Sequence, residues 1–305
     1  MKGLELCRAY WEQVGRPVLE KKCPEALARC AVGLAGEGSE CFGFDDEISQ
    51  DHDWGPGFCL WLTAEDMAIY GETLQKAYRA LPSRYMGYTR QQVTEMTAGR
   101  VGVQTIGRFC ARFLGMDRAP QTLQEWRFAP EDGLAALTNG CVFADPVGEF
   151  TALREKLMAY YPEDVRRKKL AKCCALAAQS GQYNYPRCLR RGEEVAAFLA
   201  LGQFVSNVQA AVFLLNRRYK PYYKWTQRAL RDLPVLGAET AALLDAVASG
   251  GNHTDEVERV SALLIGELRR QGLSDENGDF LLPHAAQILM RVEDDALRRT
   301  DMLAD

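Results

Sequence analysis

The chain has 305 residues, of which 47% are hydrophobic, and it carries a formal net charge of −4. This length and apolar content are enough to bury one large core or two moderate ones, which excludes an intrinsically disordered chain. The first residues lack the basic segment and apolar run of a secretion signal, and we expect no apolar stretch to approach the roughly 20 residues that cross a bilayer. We therefore expect a cytoplasmic protein with no membrane partner.

The first half of the chain alternates helical and strand-like patterns. Apolar spacing predicts helices near residues 4–14, 24–34, 64–81 and 107–115, and strands near 48–54, 58–63, 100–105 and 141–145. From residue 151 the pattern is almost wholly helical, with amphipathic stretches near 151–180, 192–217, 220–231, 238–249, 254–271 and 284–299. These patterns predict an α+β fold, with a mixed sheet and flanking helices over residues 1–150 and an all-α helical bundle over residues 151–305.

A Gly-Ser turn followed by an acid-x-acid pair is the most informative motif. Gly38 and Ser39 come after an apolar stretch, and Asp51 and Asp53 lie on the next predicted strand. Backbone N–H groups in a turn of small residues are able to approach a phosphate closely. Alternate residues of a strand point to one face, so both carboxylates reach the same side and favour Mg²⁺ or Mn²⁺. The alternative interpretation is a solvated hairpin face.

A third carboxylate is needed if the chemistry is nucleotidyl transfer, because the attacking hydroxyl must lose a proton. Asp145, at the end of the predicted strand near 141–145, is the candidate, as both base and metal ligand. Glu149 and Glu47 are alternatives. Asp145 also precedes Pro146, so an ordinary strand-ending turn explains it equally well.

The helical half supplies the positive charge that a triphosphate requires. Residues 151–235 carry 16 basic and 6 acidic side chains, whereas residues 1–150 carry 15 and 21. This basic segment suits a nucleotide, since magnesium neutralises only part of the phosphate charge. For the run from Arg166 to Lys169, the alternative is a solvated helix face.

Two segments of the helical half have the composition of a nucleotide site. The polar and aromatic break at 181–185, which contains Asn184, precedes Arg187, and together they suit base stacking and phosphate binding. Lys224, among Tyr222, Tyr223 and Trp225, is the candidate for a triphosphate contact. The alternative is that these aromatic rings pack in the bundle core while the lysine reaches solvent.

The ten cysteines and three histidines do not indicate a structural zinc site. No C-x-x-C pair is present, and the histidines are scattered along the chain. Zinc needs four suitably spaced soft ligands or a histidine cluster. We expect most of these cysteines to be small buried side chains in a reducing compartment.

Taken together, these segments resemble the DNA polymerase beta-type nucleotidyltransferase superfamily, which includes the aminoglycoside and lincosamide nucleotidyltransferases. Within it the chain is most similar to a bacterial branch known as domain-of-unknown-function family 4037. The segments that carry the resemblance are residues 38–43, 45–49, 51–53, 142–145, 181–185 and 215–225.

The resemblance implies a nucleotidyltransferase-like mixed sheet and a two-metal, pyrophosphate-releasing enzyme. Gly38 and Ser39 would contact the β and γ phosphates of a nucleoside triphosphate (NTP). Asp51 and Asp53 would hold two magnesium ions, and Asp145 would match the third carboxylate. The expected reaction moves a nucleoside monophosphate group from the NTP to a hydroxyl acceptor, which we expect to be a small molecule.

Two alternatives remain open at this point. One is a catalytically inactive nucleotide-binding regulatory or antitoxin-like module that keeps the fold. The other is a nucleotidyltransferase that modifies a protein or a transfer RNA, although the overall acidity and the lack of an RNA-binding motif disfavour nucleic acid. The sequence specifies neither the acceptor nor the preferred base, and it leaves a homodimer open.

Overall fold

The computed structural model describes residues 1–50, 54–91 and 99–304. The helices of the first 120 residues in this described part are α1 Gly3–Tyr10, α2 Arg16–Lys22, α3 Pro24–Leu27, α4 Ser39–Phe42, α5 Ala64–Arg79 and α6 Ile106–Leu114. The later helices are α7 Leu123–Phe128, α8 Glu131–Thr138, α9 Glu149–Met158, α10 Glu163–Ala177, α11 Tyr185–Arg190, α12 Glu194–Leu215, α13 Tyr223–Leu230, α14 Gly237–Val247, α15 Thr254–Arg270, α16 Leu281–Met290 and α17 Asp295–Arg299. The strands are β1 Ala31–Leu34, β2 Cys59–Leu62, β3 Arg84–Tyr85, β4 Tyr88–Thr89, β5 Gly102–Thr105 and β6 Cys141–Ala144.

Four of the strands form a mixed sheet in the order β5-β2-β1-β6. The central strand β1 is antiparallel to both β2 and β6, whereas β2 and β5 are parallel. All four residues of β1 and of β2 are buried, as their continuous apolar sequences require of strands covered on both faces. Strands β3 and β4 form a separate hairpin. The predicted α+β fold with a mixed sheet is therefore confirmed.

Aromatic side chains pack on the sheet in the first part of the chain. The fully buried rings of Trp61 and Phe150 stack at 4.0 Å between centroids, and Phe109 lies 5.2 Å from Trp61. Phe58 lies 5.2 Å from Tyr78, in an edge-to-face arrangement. Burying a large aromatic side chain contributes about 2–3 kcal/mol, so these rings supply a large share of the sheet's packing energy.

Several predicted elements are confirmed and two are wrong. The predicted strands near 58–63, 100–105 and 141–145 correspond to β2, β5 and β6. The predicted helix over 24–34 ends at Leu27, and its second half is the strand β1. The predicted strand over 48–54 is wrong for its first part, because Ile48–Gln50 forms a 3-10 helix. A short apolar run fits either periodicity, which explains the first error.

The chain divides into two compact units. Unit 1 comprises Met1–Pro120 and Ala129–Ala159, and unit 2 comprises Gln121–Phe128 and Tyr160–Asp305. The sheet belongs to unit 1. In unit 2, α10 packs against α12 and α16. The sequence predicted a boundary at residue 150. In the structure α9 belongs to the unit with the sheet, and α7 belongs to the helical unit.

Helix α12 is long and apolar. Its mean hydropathy reaches 1.7 over an 18-residue window, of which 44% is buried inside the protein. The expectation that no apolar stretch approaches the length of a membrane span is therefore wrong by length and composition. A core helix of a soluble protein has the same properties, and a cytoplasmic location stays a prediction.

Candidate functional site

The Gly-Ser turn lies where the central strand of the sheet ends. After β1 the chain passes through Gly36, whose φ of +140° is accessible to glycine, and reaches Gly38, which precedes the first residue of α4. The Asn139 side chain forms two hydrogen bonds with the backbone of Gly36 in this loop. Its Oδ1 accepts from the Gly36 N–H at 3.0 Å, and its Nδ2 donates to the Gly36 carbonyl at 2.6 Å. Ser39 therefore opens α4 at a fixed position beside the sheet.

The two aspartates of the acid-x-acid pair, Asp51 and Asp53, lie outside the described residues. The chain resumes at Trp54, which is 9% exposed and donates its indole N–H to Asp45 Oδ2 at 3.3 Å. The next carbonyl, that of Gly55, accepts from Gln91 Nε2 at 3.2 Å. These contacts fix the described residues that follow the acid pair.

Gln91 and Glu40 connect this segment to the Gly-Ser loop. The Gln91 amide donates to Glu40 Oε1 at 3.4 Å as well as to Gly55. A Cβ atom placed on Gly38 would lie only 2.4 Å from Glu40 Oε1, so the carboxylate packs directly against the turn. The backbone after the acid pair and the loop after β1 therefore meet at one buried carboxylate.

Two acidic side chains are buried beside the loop. Glu40 and Asp45 are each 4% exposed. Asp45 Oδ2 accepts from the Gly3 N–H at 2.7 Å, and Lys2 Nζ lies 3.8 Å from Oδ1. Burial raises the pKa of Glu40, and hydrogen bonding to its own N–H and the positive charge of Arg100 partly oppose this shift. Glu40 is therefore easier to protonate than an ordinary glutamate.

Two arginines outside the sequence motifs lie at the same loop. Arg112 Nη2 lies 2.5 Å from Glu37 Oε1, and Arg100 Nε lies 3.9 Å from the same oxygen. Gly36, Gly38, Arg100 and Arg112 line a space of about 10 Å³, which holds about one water molecule. Sequence reasoning missed these arginines because α6 and the segment before β5 carry no recognisable motif.

Asp145 lies at the other end of β1 from the Gly-Ser turn. Leu34 pairs with Cys141, whereas Val32 pairs with Ala144, so the antiparallel register carries Asp145 away from Gly38. The four residues of β1 separate the two by at least about 10 Å at 3.3 Å per residue. Asp145 lines an open groove of about 500 Å³ that also contains Cys30. Burial, and to a lesser extent the Asp145 carboxylate, raise the pKa of the Cys30 thiol.

Both carboxylate oxygens of Asp145 accept backbone hydrogen bonds. Oδ1 accepts from the Gly148 N–H at 2.9 Å, and Oδ2 accepts from the Thr151 N–H at 2.7 Å. These contacts satisfy N–H groups at the start of α9, which have no partner inside the helix. Asp145 thus stands as a helix-capping residue, and the structure does not bring it to Gly38 and Ser39. The alternative acid Glu149 is exposed on the first turn of α9.

The predicted nucleotide-binding residues of the helical half lie in unit 2. Asn184 ends a π-helical segment, Ala178–Asn184, and Arg187 follows on α11. The Arg187 guanidinium lies over the ring of Tyr183, 4.6 Å from its centroid. The Tyr183 ring is half exposed, and Asn184 follows it in the chain.

Lys224 lies on a different helix, α13, and its Nζ lies 5.0 Å from the Trp225 ring centroid. The helix begins at Tyr223, one residue before Lys224. Tyr222 and Tyr223 are 51% and 77% exposed, which excludes them from the bundle core. The aromatic side chains around Lys224 are thus largely at the surface of unit 2.

The basic run at the start of α10 is not a solvated helix face. Arg166 is 3% exposed and forms an ion pair with Glu163 at 2.6 Å. Lys168 is 2% exposed, and its Nζ donates to the carbonyls of Thr300 and Asp301, each at 2.8 Å. Burial lowers the pKa of Lys168. These two cations are engaged inside unit 2.

No group of three or more His, Cys, Asp or Glu side chains suited to a metal ion occurs within residues 1–50, 54–91 and 99–304. The predicted magnesium ligands Asp51 and Asp53 lie outside these ranges, so the two-ion site stays a prediction. The cysteines in the described ranges are free, and most are buried, as expected.

Part of the chain matches the model of a known protein family. Residues 126–226 match the family model described as a domain of unknown function, DUF4037. This range includes the segments 142–145, 181–185 and 215–225, and it begins after the Gly-Ser turn and the acid pair. Searches of curated proteins and of solved structures found no significant match. The match, over about a third of the chain, supports assignment of residues 126–226 to the DUF4037 family.

Proposed function

We propose that this protein is a metal-dependent nucleotidyltransferase that moves a nucleoside monophosphate group from an NTP to a hydroxyl acceptor. The proposal rests on one observation above all. The Gly-Ser loop at the end of β1, the backbone that follows the acid pair and two arginines all meet around Glu40 and Glu37. Backbone amides, cations and oxygen ligands together are what a metal-bound triphosphate needs.

In this proposal each residue has a limited role. Asp51 and Asp53, two carboxylates two residues apart, are the oxygen donors that magnesium takes. When bound, the ions neutralise phosphate charge and polarise the bond to the departing pyrophosphate. Gly38 and Ser39 position the triphosphate through backbone N–H groups and the hydroxyl, and Arg100 and Arg112 offset its negative charge. Asn184, Arg187 and Lys224 belong to unit 2, and their role in nucleotide binding stays a prediction.

The proposal assigns no catalytic role to Asp145. Its carboxylate caps α9 at the opposite end of β1 from the Gly-Ser loop, so it does not lie beside the loop at which we propose that the triphosphate binds.

Glu37 must move for a triphosphate to enter. The space beside Gly38 is about 10 Å³, and the Glu37 carboxylate occupies the arginine donors that a phosphate would use. A phosphate carries more charge than a carboxylate and accepts from the same planar guanidinium groups. We therefore expect the γ phosphate to displace Glu37 from Arg112.

A pyrophosphate-release assay tests the proposal. The protein is incubated with magnesium, one of ATP, GTP, CTP or UTP, and a panel of hydroxyl compounds. We expect release with at least one pair, and its loss in Asp51→Ala/Asp53→Ala. Asp46→Asn, which changes an exposed acid of the same segment, is the matched control and should keep activity. Release that persists in the double variant would refute the assignment.

The same assay separates the inactive alternative. Magnesium-dependent NTP binding without pyrophosphate release, across neutral, anionic and cationic acceptors, would favour a nucleotide-binding regulatory module. Release that depends on an added protein or transfer RNA would favour a macromolecular acceptor.

A further inference from the structure

A second space in unit 1 is large enough for a small molecule. It has a volume of about 520 Å³ and lies between the end of α5, the hairpin β3–β4, and the β5–α6 segment. Ligand sites of small molecules typically measure about 300–1,000 Å³. Nothing in the motif analysis or in the family match points to this cavity.

The described lining of the cavity is positively charged. It includes Arg79, Arg90 and Arg108 together with the amide side chains of Gln75 and Gln104, and none of the described lining residues is acidic. Three guanidinium groups around one concave space concentrate positive potential there. An anion gains from this field, whereas a cation is repelled.

The three arginines have different roles. The Arg90 guanidinium donates to the carbonyls of Tyr78 and Leu81 at 2.9 and 3.1 Å, so it holds the end of α5 and shapes the wall. Arg79 and Arg108 are exposed, and neither forms an ion pair with a residue in the described ranges. Within the described residues these two side chains thus differ from Arg112, which forms an ion pair with Glu37 at the loop.

The cavity adjoins the proposed phosphate site. Gly99 lines both the cavity and the small space at the Gly-Ser loop, and Gln91, which lines the cavity, donates to Glu40 at that loop. Gln104, 5% exposed, donates to the Gly99 carbonyl at 3.0 Å and fixes the backbone shared by the two sites. A molecule in the cavity would therefore lie next to an NTP bound at the loop.

We propose that this cavity binds the hydroxyl acceptor and that the acceptor is an anionic small molecule, such as a phosphorylated or carboxylated polyhydroxy compound. The part of the proposal that concerns an acceptor rests on the proposed nucleotidyltransferase function. The part that concerns anion binding does not. The charge of the described lining argues against a polycationic acceptor, because like charges about 4 Å apart repel by about 1 kcal/mol in water and more in a partly enclosed space.

Three sugars that share the glucose ring provide the test. Glucose, glucose 6-phosphate and glucosamine are neutral, anionic and cationic forms of the same frame. Binding is measured by titration calorimetry at low ionic strength, without nucleotide or metal. We expect glucose 6-phosphate to bind about tenfold more tightly than glucose, glucosamine to bind more weakly than glucose, and added salt to reduce the preference.

The variant Arg79→Gln/Arg108→Gln assigns the binding to this cavity. Both side chains are exposed, so we expect the variant to fold and to lose most of the preference for the anion. The matched control, Arg16→Gln/Lys21→Gln, removes the same charge from the exposed helix α2 and should keep the preference. Equal binding of the three sugars, or a preference that survives in Arg79→Gln/Arg108→Gln, would overturn the proposal.

Two further outcomes separate the cavity from the proposed reaction. If magnesium-ATP displaces glucose 6-phosphate, and Arg79→Gln/Arg108→Gln weakens ATP to the same extent, the cavity is a nucleotide site and the acceptor proposal fails. If pyrophosphate release occurs only with neutral or cationic acceptors, the acceptor proposal fails while the nucleotidyltransferase function stands. If the unaltered protein binds the anion, Arg79→Gln/Arg108→Gln does not, and no pyrophosphate release is found, the anion-binding site is supported and the nucleotidyltransferase function is refuted.

Discussion

Replacing Asp145 distinguishes a structural role from a metal-binding one. In the structure its two oxygens accept from the N–H groups of Gly148 and Thr151 at the start of α9. A hydrogen bond to a charged group contributes about 1.5–3 kcal/mol, and a helix N-cap typically about 1 kcal/mol. Because Asp145 is partly solvated, we expect Asp145→Ala to lower the free energy of unfolding by about 2–3 kcal/mol in total.

This loss is large enough to measure. For a unit of this size, 1 kcal/mol shifts the melting temperature by about 2–4 °C, so we expect a decrease of about 4–12 °C in the transition of unit 1. Circular dichroism follows the melting, and calorimetry at a temperature where the variant is folded gives its affinity for magnesium-ATP. We expect the dissociation constant to stay within about twofold of the unaltered protein, since β1 separates Asp145 from the loop.

Glu149→Gln is the control for this experiment. Glu149 is exposed on the same helical turn, and its change should alter stability by less than about 1 kcal/mol. A folded Asp145→Ala protein with unchanged melting temperature and an affinity for magnesium-ATP reduced more than about tenfold would refute the reasoning. It would restore Asp145 as a metal ligand.

Three other changes test neighbouring parts of the account. Glu37→Gln removes the carboxylate that competes for Arg112, so we expect magnesium-ATP or free pyrophosphate to bind about two- to fivefold more tightly, whereas Glu72→Gln, which removes an exposed ion pair on α5, should have no effect. Burial raises the pKa of Glu40, so the contribution of this side chain to the free energy of unfolding is greatest below the ordinary glutamate pKa and falls as the pH rises through the folded-state pKa. Denaturation at several pH values should therefore show that Glu40→Gln becomes more stable relative to the unaltered protein as the pH increases. A difference in stability that does not depend on pH would contradict this. Phe150→Ala removes a fully buried ring stacked on Trp61, and we expect a loss of about 3–5 kcal/mol in denaturant titrations; a loss below about 1 kcal/mol would contradict the packing.

Several helices and strands could be predicted because the local sequence pattern of each has a single interpretation. The apolar runs of β2 and β6 are short and bounded by turn residues, and α5 is capped by Thr63, whose side chain accepts from the Asp66 N–H. The residues of β1 were predicted as part of a helix, because the apolar residues from Ala26 to Leu34 fit both helical and strand spacing. Only its pairing with β2 and β6 decides for a strand.

The geometry of the site depends on long-range register, which the sequence does not display. The sequence predicts that Asp145 lies at the end of a strand. It does not show which end of β1 lies beside Asp145, because that depends on the antiparallel pairing of β1 and β6. The contact of Arg112 with Glu37 joins α6 to the loop after β1, with no motif at either residue. In the same way, Arg79, Arg90 and Arg108 line one cavity although they come from α5, the segment after β4 and α6.

The most direct test of the central claim is the affinity for an NTP with and without divalent metal. Calorimetric titration of ATP, GTP, CTP and UTP is carried out in magnesium and again in EDTA, for the unaltered protein and for Asp51→Ala/Asp53→Ala. We predict that at least one NTP binds in magnesium and that both EDTA and the double substitution weaken this binding strongly. Equal NTP affinity in magnesium and in EDTA, unaltered by the loss of both aspartates, would contradict the account.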